Sequence, residues 1–138
     1  MSILIMLLVV IADWLIKEGI RAQPVGTLLY ATPLFHIVHT ENSGVAFSLL
    51  ADRPGLVLCF GLALLSLLLV YAFRRTGGER VLLFLLAGGG LGNLLDRFAD
   101  GTVTDYVQLT GIPFPVFNLA DAVITVAVAL LALMILRK

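Results

Sequence analysis

The chain has 138 residues, 60% hydrophobic and 13% charged, with nine basic and nine acidic side chains cancelling to zero and a mean hydropathy of +1.07. A soluble domain carries about 25% charged residues, so a soluble globule is excluded, and the neutral balance excludes a nucleic-acid footprint. Cys59 is the only cysteine, which excludes an intrachain disulfide or a cysteine-built metal site.

Apolar runs over 1–16, 55–73, 81–97 and 117–136 predict four transmembrane helices, since a span takes about 20 residues. The length allows one domain, 1–138. The first run has neither a basic leading region nor an A-x-A-like cleavage site, so it reads as a retained helix rather than a signal peptide. Between the first two runs, Glu18 to Pro54 is rich in turn formers, with a short strand expected near Leu34 to His39. His36 and His39 in that segment lack the H-E-x-x-H context of a zinc peptidase, and no metal or other cofactor is expected. Gly88-Gly89-Gly90-Leu91-Gly92 in the third run suits helix packing better than a phosphate loop, because no strand precedes it and no Lys-Ser/Thr follows. Residues 101–109 alternate approximately and are rich in β-formers, which predicts a strand with Asp105 on the face of Val103, Val107 and Leu109. A carboxylate on such a face needs a partner.

Arg74, Arg75 and Arg80 between the second and third spans, with Arg137 and Lys138 at the end, outnumber Lys17, Arg21, Arg53 and Arg97 on the opposite side by five to four. The positive-inside rule then puts both termini in the cytoplasm. Alternating crossings bring the end of span one, the end of span three and the start of span four to the outer face, with Asp13, Asp96 and Asp121. A rise of about 1.5 Å per residue places Asp121 roughly 6 Å inside a span that starts at Phe117.

An ionisable residue at the centre of a span costs about 2.5–3.5 kcal/mol on insertion scales and usually marks a cavity or site. Here such residues form stripes: Asp13 and Lys17; Gly89, Asn93, Asp96 and Arg97; Asn118, Asp121 and Thr125. Asp13 with Lys17 reads first as an intrahelical ion pair at the interface, and Asp96 with Arg97 as either an interfacial anchor or a buttress. Trp14 fits an aromatic belt. Asp105 and Asp121 have no basic residue within one helical turn, so each must be solvated, neutralised or paired through tertiary contact. Were the segment carrying Asp105 to fold over the mouth of span four, two carboxyls would share one proton and offer a base for water and an acid for a peptide carbonyl. A small transporter with proton- or cation-binding acids is the competing expectation.

Taken in order, Asp13-Trp14-Leu15-Ile16-Lys17, Asn42-Ser43-Gly44-Val45-Ala46-Phe47, Gly92-Asn93-Leu94-Leu95-Asp96-Arg97, Gly101-Thr102-Val103-Thr104-Asp105-Tyr106 and Phe117-Asn118-Leu119-Ala120-Asp121 resemble the lipoprotein signal peptidase (signal peptidase II) family. The resemblance implies a mainly α bacterial inner-membrane aspartic peptidase, with four transmembrane helices and a small extracytoplasmic β-rich cradle. Its substrate would be a prolipoprotein bearing a diacylglyceryl cysteine, reached from among the membrane lipids and cut just before that cysteine. It makes Asp105 and Asp121 the catalytic pair. Asn42, Gly44, Asn93, Asp96, Arg97 and Asn118 would bind substrate or support the pair, and Asp13 with Lys17 would be a structural pair in the first helix. A monomer is expected. Tyr106, where the family usually has Phe, is a departure that leaves the two aspartates untouched.

Overall fold

A computed structural model describes residues 1–43 and 53–137 of the chain. Gly44, singled out beside Asn42, lies outside the described residues. Among the described residues, four helices and three strands follow in the order α1 (Ser2–Arg21), β1 (Leu28–Ala31), β2 (Phe35–Asn42), α2 (Pro54–Phe73), α3 (Gly77–Asp100), β3 (Val103–Leu109) and α4 (Leu119–Leu136).

The second apolar run and α2 agree closely, and Pro54 suits the first turn, where its missing N–H costs nothing. The other three boundaries moved. α1 continues past Ile16 to Arg21, because the charges that end its apolar run are matched inside the protein. α3 extends to Asp100 and stops at Gly101, whose φ of +78° is a left-handed stop that returns its N–H to Arg97 O at 3.0 Å. α4 begins at Leu119 rather than Phe117, so Asp121 sits in its first turn, as the third helical residue.

α2, α3 and α4 are each long and apolar enough to cross a membrane. α3 is the central helix, packing against α1, α2 and α4. One end of the bundle is closed by Ala72, Leu83 and Phe84, with Met6, Leu68, Leu69 and Leu131 against them. Outward, residues such as Leu67, Val126 and Leu133 remain exposed, as lipid-facing positions would be.

The glycine cluster of α3 is a packing surface. A Cβ on Gly88 would stand 3.0 Å from Met6 O of α1, and one on Gly92 2.8 Å from Asp13 Oδ2. A Cβ on Gly89 would come within 2.7 Å of Ala120 O and 2.8 Å of Ile124 Cγ1 on α4. A backbone oxygen cannot step aside as a side chain can, so Gly89→Ala should cost about 1–3 kcal/mol. Thermal unfolding in detergent would check this; an unchanged midpoint would show that α4 can shift freely.

At the other end lies an antiparallel sheet in the order β1-β2-β3. The strand expected near Leu34 to His39 is β2, which runs on to Asn42, and β1 is an additional hairpin partner. Residues of β2 and β3 pair as Thr40 with Asp105, Glu41 with Thr104 and Asn42 with Val103. Asn42 is thereby diagonal to Asp105 on one face, within side-chain reach.

Candidate active site

A helix begins with N–H groups that have no partner inside it. At α4 the surrounding chain supplies the partners. Leu119 N–H donates to the Tyr106 hydroxyl at 3.0 Å, Ala120 N–H to Asp13 Oδ1 at 3.0 Å, and Asp121 N–H to Asn118 Oδ1 at 2.9 Å. Asp121 Oδ2 in turn accepts Asn118 N–H at 3.2 Å, which completes a capping box. Residues from α1, β3 and α4 itself thus fix the turn that carries Asp121.

Lys17 organises the charges behind it. Its ammonium group, 0% exposed, is 2.6 Å from Asp13 Oδ2, 2.8 Å from Asp96 Oδ2 and 3.0 Å from Asn93 Oδ1. Three protons meet three acceptors. Asp96 Oδ1 also pairs with Arg21 Nη2 at 2.7 Å. The expected Asp13–Lys17 ion pair exists, and it is buried and shared with Asp96, because α3 packs over it. Asp96 thus turns its carboxylate to Lys17 and Arg21 of α1 and also accepts the Thr104 N–H at 3.4 Å.

Two asparagine amides then reach the aspartates. Asn93 Oδ1 accepts from Lys17 and from Asn118 Nδ2 at 3.0 Å, which leaves its Nδ2 to donate to Asp121 Oδ1 at 2.8 Å. Asn118, 0% exposed, donates through Nδ2 to Asp105 Oδ1 at 2.7 Å. Asn42 Nδ2 donates to Asp105 Oδ2 at 3.2 Å. Each of the four carboxylate oxygens of Asp105 and Asp121 therefore receives an N–H, and Asn118 bridges the two residues. Arg97 is half-buried and donates to Asn93 O at 3.3 Å; its guanidinium lies in the field of Asp121, Asp105 and Asp96.

Asp105 is 3% exposed, and burial together with the negative charge of Asp121 pushes its carboxyl up to about 6, against the opposing pull of Asn42, Asn118 and Lys17. The fold binds this proton more tightly than the unfolded chain does, so ionising Asp105 opposes folding. That cost is absent below the ordinary value near 3.8, grows as pH rises toward about 6 and is complete above it. Asp105→Asn should accordingly raise thermal stability at neutral pH by up to about 3 kcal/mol, with no such gain near pH ~4. Melting at the two pH values checks the sign; an equal gain at both would contradict it.

Of the residues singled out from sequence, Asp13, Lys17, Asn42, Asn93, Asp96, Asn118, Asp105 and Asp121 form this connected network, and Arg97 flanks it. Tyr106, Arg21, Thr104 and Glu41 were not foreseen as members. Arg21 Nε donates to Thr104 Oγ1 at 2.8 Å, and Thr104 Oγ1 donates to Glu41 Oε1 at 3.0 Å, tying α1 to the sheet. Glu41 also accepts from Thr102, and the ring of His39 lies 2.9 Å from Glu41 Oε1 and 2.7 Å from Gln23 O. Burial pushes the Glu41 carboxyl up, but hydrogen bonds with Thr102, His39 and Thr104 outweigh this and hold it below the usual range. The only signal for Arg21 was its four-residue step beyond Lys17, on the same helix face.

Among known proteins, residues 5–137 match the family model described as Signal peptidase (SPase) II. The chain is 33% identical over 137 residues to the lipoprotein signal peptidase of Halothermothrix orenii, with 96% of this chain and 93% of that protein covered. Against that of Moorella thermoacetica it is 38% identical over 135 residues, covering 94% and 88%. A solved structure described as a bacterial membrane enzyme superposes with a TM-score of 0.91 at 31% identity, covering 99% of this chain and 87% of that one. A second, also described as a bacterial membrane enzyme, gives 0.88 at 31% identity, covering 99% and 93%. With the family model spanning nearly its whole length and relatives above 30% identity along most of theirs, the chain belongs to the signal peptidase II family.

Proposed function

We propose that this protein is an aspartic endopeptidase that removes signal peptides from prolipoproteins, cutting just before a cysteine that carries diacylglycerol. The observation that carries this reading is the pair Asp105 and Asp121, bridged by Asn118, with each of their four oxygens held by an N–H. Side chains so restrained keep a reactive geometry without reorganising during the reaction. The pair, with Asp105 buried and Asp121 half-buried, shares one proton. The ionised carboxylate takes a proton from water as the water oxygen bonds to the peptide carbonyl carbon, while the protonated partner gives its proton to the carbonyl oxygen. Collapse then breaks the C–N bond: the first carboxyl returns its proton to the leaving nitrogen, and the second takes one back from the diol oxygen.

In this reading residues 1–138 form one domain in the bacterial inner membrane, acting as a monomer. α1 makes the fourth crossing, since its 20 residues span about 30 Å and its buried charges are matched by α3. Both termini lie in the cytoplasm and the aspartates near the outer surface. A lipidated cysteine would then remain among the membrane lipids while its peptide bond reaches water. Asn42 and Arg97 border the site and would contact the peptide.

The transporter alternative requires an oligomer with a continuous polar path, whereas Ala72, Leu83 and Phe84 form an apolar cluster at the far end of the helices. Purified protein should cleave a diacylglyceryl-modified prolipoprotein and leave the unmodified form intact. Ion flux into proteoliposomes without any cleavage would favour the transporter.

A further inference from the structure

The reaction needs one carboxyl ionised and the other protonated. We propose that Lys17, acting through the Asn93 amide, is a positioning residue that holds Asp121 as the ionised, water-activating member and assigns the shared proton to Asp105. This rests on the peptidase reading and deepens it.

The two carboxyls are told apart by the donors and acceptors along a chain of contacts. An asparagine amide can face either way, and its orientation is set by whichever partner cannot reverse its own role. Lys17 has no acceptor to offer. Its ammonium on Asn93 Oδ1, 3.0 Å away, therefore turns the Asn93 NH₂ toward Asp121 Oδ1 at 2.8 Å. The other oxygen of Asp121 accepts the Asn118 backbone N–H at 3.2 Å, a donor that cannot become an acceptor. Both Asp121 oxygens thus face obligate donors, and Asp121 also sits in the first turn of α4, where the helix dipole favours negative charge.

Asp105 has no helix terminus of its own. Its Oδ2 meets the side-chain amide of Asn42 at 3.2 Å, the longer of its two contacts. A proton on either Asp121 oxygen would confront an N–H that cannot accept it, which leaves Asp105 as the carboxyl that takes the shared proton. Burial and the Asp121 charge, which push Asp105 up to about 6, act in the same direction. The charged and titratable groups around the pair are Lys17 on α1 with its partners Asp13 and Asp96, Arg97 on α3 and the Tyr106 hydroxyl on β3. Lys17 is the one that contacts Asn93 through a side-chain hydrogen bond to Oδ1.

Two measurements test this. In the first, Asp13→Asn/Lys17→Gln removes one buried charge of each sign and keeps the net charge. The acid limb of the kcat/KM–pH profile should move up by about one pH unit, with KM within about twofold of the parent. An unmoved acid limb with reduced amplitude would show Lys17 to be merely structural and overturn the proposal. Should that variant fail to fold, Asn93→Ala breaks the same relay while leaving Lys17 with Asp13 and Asp96, and the same shift is expected. The second measurement needs no activity. In infrared spectra, the protonated-carboxyl band that the parent shows below the Asp105 value of about 6 should disappear in Asp105→Asn, and in Asp121→Asn it should remain but shift to lower pH, because the Asp121 charge no longer raises it; loss of the band in Asp121→Asn and its retention in Asp105→Asn would overturn the assignment. A parent that shows this band pattern yet cleaves no prolipoprotein would instead sink the peptidase reading alone.

Discussion

Lys17→Met should be among the most destabilising single substitutions in this protein, costing about 3–5 kcal/mol. Asp13 and Asp96 are 1% and 4% exposed, and the ammonium of Lys17 is held between them. Methionine fills much of the same volume but leaves two carboxylates facing each other away from water. A buried ion pair is weak evidence for stability as such, but removing one partner strands the other. The damage would spread to the site, because Asp13 Oδ1 also accepts the Ala120 N–H next to Asp121. The thermal midpoint in detergent should fall by roughly 10 °C or more, and Asp13→Asn in the same protein should recover part of the loss. A fall below about 1 kcal/mol would mean that water reaches these carboxylates.

How far the site could be seen in the sequence depended on the range of the contacts. Local spacing sufficed for Asp13 with Lys17 and for Asn118 with Asp121, because helical steps of three and four are fixed by geometry. Topology placed Asp13, Asp96 and Asp121 at one end. The apolar-run criterion ended α1 at Ile16, since it treats Lys17 and Arg21 as polar stops, whereas α3 and β3 supply Asp96 and Thr104 to receive them. β1 is the local hairpin partner of β2, whereas the full length of β2 depended on pairing with β3 across two intervening helices, which no local pattern encodes. That pairing also decides that Asn42 meets Asp105, because a slip of one residue would turn Asn42 to the other face. Tyr106 looked like a tolerated replacement; its hydroxyl acquires meaning only where α4 presents an unpaired N–H.

Asp105→Asn and Asp121→Asn should each abolish peptidase activity. Asparagine keeps the shape but cannot take a proton from water or give one to a carbonyl oxygen at neutral pH. Loss of a group that acts as a unit with its partner typically removes most of the chemistry at once, about 10⁴-fold or more. The two variants should differ in other respects. Asp105→Asn relieves a buried charge and is expected to gain stability. Asp121→Asn presents an NH₂ either to the Asn93 amide or to the Asn118 N–H, and so loses one of these two hydrogen bonds. A fall in activity that merely followed stability would affect Asp121→Asn alone. A catalytic pair predicts that the more stable Asp105→Asn is just as inactive.

The most direct test is therefore cleavage of a diacylglyceryl-modified prolipoprotein by the parent and by both variants, at matched amounts of folded protein, with the products read by mass spectrometry. The expected result is a cut immediately before the lipidated cysteine in the parent and a rate at least about 10⁴-fold lower in each variant. Cleavage by either variant within about tenfold of the parent would contradict the pairing of Asp105 and Asp121 as the reacting groups.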